Sequence, residues 1–315
     1  MTDDLTELPG VGKETANKLI AAGYNSYMAI AVARPKNLMG IEGISENASK
    51  KIIEAAKKVA DIGEFMSLSE LIDKRKNRMR VTTSSPQLDA LFGGGLETTS
   101  VVEFFGEFGS GKTQTCFQLA VNATMPVEKG GLDGHVAWID TENTFSEKRL
   151  RQISEAMGLN FEDDVLPKIH YARAWNSHHQ MLLLEERAYE LAKTYPIRLI
   201  VIDSLTSLFR AEYIGRGTLA ERQGLLNDHM HKLSNFVGLN NAVAVFTNQV
   251  QSNPGQLFGD PTKPVGGHIV GHNATHRVYL RKGKQGRKVA RMIDSPENPD
   301  IEALILVEEC GVRDG

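Results

Sequence analysis

Cysteine is nearly missing from this chain: Cys116 and Cys310 are the only two in 315 residues. Two thiols so far apart support neither a disulfide framework nor a metal motif, and they fit a reducing cytosol. No run approaches the ~20 consecutive apolar residues that a membrane-spanning helix needs. The opening stretch, MTDDLTELPG, is acidic and lacks an apolar centre, so it is not expected to act as a signal peptide. A strong charge of either sign is absent too: 36 Lys and Arg face 39 Asp and Glu, a net charge of −3. Bulk charge therefore gives no hint of nucleic acid, and any DNA site must be a local patch. What remains is an ordinary globular composition, in a chain long enough for a full α/β core and a smaller extra domain.

One stretch organises the rest. Residues 106–113 read GEFGSGKT and fit G-x-x-x-x-G-K-[ST], with Gly106, Gly111, Lys112 and Thr113 at the fixed positions. The glycines let the loop fold back so that backbone N–H groups point at phosphate oxygens. Lys112 reaches the β- and γ-phosphates, and the Thr113 hydroxyl can ligate Mg²⁺. VVEFF (101–105) precedes the loop as a strand buried on both faces. A helix is expected over 112–122, with Phe117, Ala120 and Val121 inward and its positive end toward the anion.

Residues 1–60 contain a weak repeat. In LPGVGKETANKLIAAGY (8–24), Gly10 and Gly12 form a turn before a short helix with Ala16, Leu19 and Ile20 inside. IEGISENASKKIIEAAKKVA (41–60) repeats this with Gly43, Ile44, Ala48, Ile52 and Ile53. Paired helix-hairpin-helix units are one reading, gripping DNA phosphates through turn amides; a small bundle for protein contacts is the other. Residues 61–80 read as a linker carrying one isolated aromatic, Phe65, and a basic run from Lys74 to Arg80. The core is expected over 81–315. HVAWIDTEN (135–143) is a buried strand ending in the acidic pair Asp140 and Glu142, in the ligand crevice of an open α/β sheet. IRLIVIDS (197–204) is the second nucleotide signature, a Walker B strand whose Asp203 holds water on a Mg²⁺ shell. Gly-Arg-Gly at 215–217 and the Gly- and Pro-rich segment 251–267 are two loops leaving the same sheet edge. Residues 277–294 read as a hairpin with a basic tip, and ALILVEECG (303–311) as the last strand.

With LDALFGGGLE, GEFGSGKTQ, WIDTE, YARAWNS, LIVIDS, FRAEYIGRGTLAERQ, TNQV, GGHIVGH and MIDSPENPD in this order, the chain resembles the RecA-like recombinases. Over nearly its whole length it is similar to the archaeal RadA group among them, kin of the eukaryotic strand-exchange proteins. The resemblance implies an α/β fold: a RecA-like P-loop ATPase core with a mostly parallel central sheet, plus a small all-α helix-hairpin-helix N-terminal domain. It implies a DNA-dependent ATPase that forms helical filaments on single-stranded DNA and pairs that strand with homologous duplex.

The roles it implies follow residue by residue. ATP would be held by Gly106, Glu107, Phe108, Gly109, Ser110, Gly111, Lys112, Thr113 and Gln114, with Arg149 packed on adenine. Mg²⁺ would sit with Thr113 and Asp203. Glu142 would activate the attacking water, with Lys112 and Gln249 completing the catalytic set and Gln249 sensing the γ-phosphate. Asp294 and Pro296 would cap the nucleotide of the adjacent protomer, Asp294 also helping to place K⁺. Arg216 and Arg222 match the first DNA loop, and 251–267, closing on Gly267 and His268, the second. Phe65 matches the polymerisation residue that enters a neighbour. Partners would be single- and double-stranded DNA, further copies in filaments or rings, and recombination mediators, with no membrane, in a cytoplasmic, nucleoid-associated setting.

Departures from the pattern are Asn143 and Thr99 where glycine is usual, Ser146 for an arginine, Leu68 for a small residue and Ser45 for a glycine. None removes a phosphate or metal ligand. The main rival reading is a recombinase paralogue that binds ATP as a mediator without exchanging strands. A hexameric motor or a scaffold with a dead nucleotide site fits the motifs less well.

Overall fold

The computed structural model describes residues 3–60, 65–215, 217–252 and 262–315, without the side chains of residues 252, 262, 263 and 268. Two compact units divide it, Met1–Asn77 and Arg78–Gly315.

The first unit packs α1 (Lys13–Ala21), α2 (Tyr27–Ala31), α3 (Pro35–Met39) and α4 (Glu46–Val59) around Leu8, Leu19, Ile30, Leu38 and Ile52. Gly10 and Gly43 occupy equivalent turns at φ +86° and +90°, a left-handed backbone that glycine adopts without steric cost. Ser45 has a local use: its hydroxyl accepts the Ala48 N–H at 3.2 Å and caps α4. The expected linker is not featureless. Ser67 and Glu70 form a capping box that starts α5 (Leu68–Arg75), none of whose residues is buried.

In the second unit, β1 (Arg80–Val81) and β2 (Leu96–Glu97) form a short antiparallel ribbon either side of α6 (Pro86–Leu91) in the chain. The main sheet then collects β3 (Val101–Gly106), β4 (His135–Asp140), β5 (Ile169–Arg173), β6 (Ile197–Asp203) and β7 (Val243–Asn248). After the ribbon of β8 (Val250–Ser252) and β9 (Thr262–Pro264) it adds β10 (His276–Lys282), β11 (Lys288–Asp294), β12 (Glu302–Glu308) and β13 (Gly311–Asp314). The strand order is β13-β12-β11-β10-β3-β7-β6-β4-β5. Pairs from β10 to β5 are parallel, and those from β10 outward to β13 are antiparallel.

Helices cover both faces, which explains the unbroken apolar runs. Leu199 and Val201 of β6 enter one core with Phe117 and Trp138, while Ile200 and Ile202 enter the other with Phe236 and Phe246. On the first face lie α7 (Lys112–Thr124) and α8 (Glu147–Ala156). The other face carries a helix from Ser177 to Thr194, namely α9 (Ser177–Leu182), a π-turn (Leu183–Ala188) and α10 (Tyr189–Thr194). With it run α11 (Ser207–Glu212), α12 (Leu219–Asn240) and α13 (Gly267–Asn273). The one-sided reading of α7 does not hold: every residue from Thr115 to Thr124 is buried. Its polar Gln118 accepts the Val312 N–H at 2.9 Å, fastening β13, a strand the sequence did not suggest.

Parallel pairing brings the chemistry to one edge. Phe105 lies beside Asn248, Asp140 beside Asp203, and Ile202 beside Phe246. The ends of β3, β4, β6 and β7 therefore share the carboxyl rim of the sheet.

Candidate functional site

A cleft of 770 Å³ opens at that rim, between the phosphate loop, Glu142, Arg149, Asp203 and Gln249. Its size suits a nucleotide. Gly106 has no room for a side chain: a Cβ there would lie 2.0 Å from the Leu280 carbonyl oxygen of β10. Gly111 caps α7 at φ +104°, which turns the loop into the helix. Lys112 Nζ donates to the carbonyl oxygens of Gly106 and Glu107, both at 2.9 Å, and so closes the loop on itself. Burial presses the Lys112 pKa down, and the nearby Asp203 and Glu142 carboxylates press it back up.

Asp203 is buried at the end of β6, where its Oδ1 accepts the Thr247 hydroxyl. Its Oδ2 is buried too and makes no hydrogen bond of good geometry among the described residues, although the Thr113 hydroxyl lies close enough to the carboxylate to influence it. Burial raises the Asp203 pKa, and the Thr247 and Thr113 hydroxyls oppose the rise. An unpartnered buried carboxylate oxygen lining the same cleft as the Thr113 hydroxyl is the donor set a hard divalent cation takes. The residues present therefore fit Mg²⁺.

Glu142 lies on the cleft side of the loop after β4. Ser204 Oγ at 2.7 Å and Gln249 Nε2 at 3.0 Å both donate to its Oε1. Its Oε2 has no partner among the described residues, so one oxygen is oriented and the other stays available as a base. The two acids of the sequence pair thus separate. Asp140 is buried and bonds the backbone of its own loop, whereas Glu142 is exposed to the cleft.

Gln249 is positioned from beneath. Asn248 Nδ2 donates to Glu103 Oε1 at 2.7 Å and to the Val265 carbonyl at 2.6 Å, and Thr206 donates to its Oδ1 at 2.8 Å. Glu103 is fully buried in β3 and accepts Arg277 Nε at 2.7 Å. Burial raises its pKa, with Arg277 the main opposing influence. This network anchors both ends of the 249–265 segment, since the Val265 N–H also donates to the Gln249 carbonyl at 2.9 Å. Sequence reasoning missed it, and also missed Ser204. A carboxylate inside an apolar strand, V-V-Glu103-F-F, was the available signal.

Arg149 is held at the cleft wall: Nε donates to Gln114 Oε1 at 2.6 Å, and its terminal nitrogens to the carbonyls of Glu308 and Glu309. Three donors spent on the protein leave the flat guanidinium face for packing. Ser146 caps α8 by accepting the Arg149 N–H at 3.2 Å, a role that suits serine. Phe108 stands 95% exposed on the loop. Asp294 and Pro296 are exposed and do not line this cleft. Phe65 is fully exposed in the first unit. Arg222 lies in the first turns of α12, and a Cβ at Gly267 would lie 3.8 Å from the neighbouring Gln223, so the roots of the two loops meet. Arg216, residues 253–261 and the His268 side chain lie outside the described residues.

Among the described residues no helix is long and apolar enough to cross a membrane. A family model described as Rad51 matches residues 74–315, and one described as a SAM-like helix-hairpin-helix tandem matches residues 2–58. A protein of Methanoculleus marisnigri named "DNA repair and recombination protein RadA" is 53% identical over 319 residues, covering 98% of each chain. One of the same name from Methanocorpusculum labreanum is 50% identical over 323 residues, again covering 98% of each.

Proposed function

The chain belongs to the Rad51 family, and from that membership we propose that it is an ATP-hydrolysing recombinase acting on DNA in repair and recombination. The observation that carries the hydrolytic part is Glu142, with one oxygen held by Ser204 and Gln249 and the other without a partner among the described residues, in the same cleft as Lys112. Backbone amides of Glu107–Gly111 and the Lys112 ammonium hold the triphosphate. Thr113 and Asp203 hold Mg²⁺, which supplies charge neutralisation on the phosphate oxygens. Glu142 takes the proton from the attacking water, and Arg149 packs its flat face on the adenine. Gln249, hydrogen-bonded to Glu142 and rooted in the segment that leads to the second loop, reports the γ-phosphate to the DNA side. The rival reading, an ATP-binding mediator, gains nothing from a cleft holding Lys112, Asp203, Glu142 and Gln249 together.

Residues 1–60 form a DNA-binding domain that grips duplex backbone, 61–80 a linker, and 81–315 the ATPase core. Arg216, Arg222, Gly267 and His268 contact the single strand through its backbone and stacking, since homology is tested by base pairing. Copies join head to tail in a helical filament. Phe65, fully exposed, enters a neighbour whose strand β5 ends the sheet among the described residues. Asp294 and Pro296 then reach the neighbour's nucleotide, with K⁺ beside Asp294. Recombination mediators load the filament, which works in the nucleoid. Electron microscopy with single-stranded DNA and a non-hydrolysable ATP analogue tests this. Helical filaments are expected; monomers or closed rings would contradict it.

A further inference from the structure

Asp140 ends β4 almost wholly buried, and its carboxylate gathers the loop that follows. Oδ1 accepts the N–H groups of Glu142 at 2.9 Å, Asn143 at 2.7 Å and Thr144 at 3.4 Å. Oδ2 accepts that of Phe145 at 3.3 Å. Four successive N–H dipoles converge on one anion, an arrangement that without the charge would leave them facing one another. The loop so gathered holds Asn143 at φ +60° and places the Glu142 side chain between Ser204 and Gln249.

A fifth donor comes from elsewhere in the sheet. Tyr171 Oη donates to Asp140 Oδ2 at 3.2 Å. Tyr171 lies on β5, which among the described residues pairs only with β4, and the residue is 45% exposed. Its ring packs against Phe145, centroids 4.6 Å apart, so it touches the loop both through its hydroxyl and through its ring. Burial first, and then the Asp140 carboxylate, raise the phenol's pKa, so it remains a donor.

We propose that Asp140 is a positioning residue for Glu142, and that the Tyr171 hydroxyl, reaching in from the outermost strand, sets how firmly Asp140 holds the loop. The proposal rests on Glu142 acting in hydrolysis. Two hydrogen bonds, Tyr171 to Asp140 and Asp140 to the Glu142 N–H, then connect the free edge of the sheet to the catalytic carboxylate. Strand addition along β5 has a short path to the rate.

Asp140→Asn and Tyr171→Phe in the full chain test this by two readouts. The amide keeps one acceptor oxygen but sets a donor against other N–H groups. The phenylalanine keeps the ring on Phe145 and removes only the hydroxyl. Hydrogen exchange at the amides of 142–145 should rise roughly tenfold or more in Asp140→Asn and about twofold to tenfold in Tyr171→Phe. Turnover should fall by roughly 100-fold and about twofold to tenfold respectively, while affinity for a non-hydrolysable ATP analogue stays within about twofold. Exchange at parent rates in both variants would overturn the proposal. So would a loss of turnover matched by equal losses of analogue affinity and melting temperature, which marks a general structural role. If Glu142→Gln turns over like the parent, the hydrolysis reading fails on its own. The exchange rates still decide the tether: acceleration supports it, and parent rates overturn it.

Discussion

The loop of Gly106–Thr113 and the loop of Thr141–Phe145 border the same cleft and are built in opposite ways. The first is shaped by backbone: Gly106 where a Cβ would strike Leu280, and left-handed glycines at 109 and 111. The second is shaped by side chains: the Asp140 carboxylate gathers it, and Asn143, not glycine, takes the positive φ. A loop that must let phosphate approach its amides cannot spend them on its own carboxylate. A loop that must aim one side chain can, and gains rigidity by doing so. The difference predicts that substitutions at the two loops fail differently.

The largest effect is expected from Gly106→Ala. A Cβ 2.0 Å from the Leu280 carbonyl forces β3 and β10 apart at the start of the phosphate loop. The variant should lose about 3 kcal/mol or more of stability and, if folded, most nucleotide binding, as urea unfolding and nucleotide titration would show. Near-parent values in both would mean the loop is not set by backbone fit.

Acid separates side-chain construction from backbone construction. Gln180 Nε2 donates to the Leu205 carbonyl just beyond Asp203 and lies 3.2 Å from His229 Nε2. Burial holds the His229 pKa at about 4, below its ordinary 6.5, so the folded protein keeps it neutral. Below pH 6.5 the unfolded chain takes up the proton first. Stability from this group is therefore full above pH 6.5 and lost as pH falls through 4. The loss by pH 4 should approach about 3 kcal/mol. His229→Phe should flatten that slope in denaturant titrations between pH 7 and 4; an unchanged slope would contradict it.

Smallest are the reverse swaps. Thr99, at φ +68°, carries a β-branched side chain in a region that penalises it, so Thr99→Gly should gain about 0.5–1 kcal/mol. Asn143→Gly should change stability by less than about 0.5 kcal/mol, because asparagine tolerates that backbone and Asp140 holds it. Unfolding midpoints would rank the two, and a larger gain at 143 would mean that the Asp140 carboxylate does not relieve the cost of that backbone at Asn143.

The same contrast explains what the sequence made legible. Backbone demands appear as glycine and doubly covered strands as unbroken apolar runs, so the phosphate loop, the repeat turns at Gly10 and Gly43, and the parallel strands could be read in order. Side-chain demands do not announce which partner they serve. Asp140 and Glu142 look alike as acids at a strand end, and only the geometry separates the one that gathers the loop from the one that faces the cleft. Glu103 hides inside an apolar strand because its partners, Arg277 and Asn248, are 174 and 145 residues away. Helix α7 hid its burial for a related reason: Gln118 and Asn122 look like an exposed face, yet they bond Ser84, Thr82 and Val312 in the interior. Helix α5 was readable from Ser67 and Glu70, but the basic run that begins in its last turn drew the segment toward a linker reading.

The proposed role of Glu142, oriented by Ser204 and Gln249, is that of the base in ATP hydrolysis. Its most direct test is Glu142→Gln, measured for steady-state turnover with single-stranded DNA and for ATP-analogue affinity on the same preparation. An amide keeps the shape and accepts the same two hydrogen bonds but cannot take a proton. Turnover should fall by about 10²–10⁴ with analogue affinity and filament formation retained. Turnover within a few-fold of the parent would remove Glu142 from the chemistry.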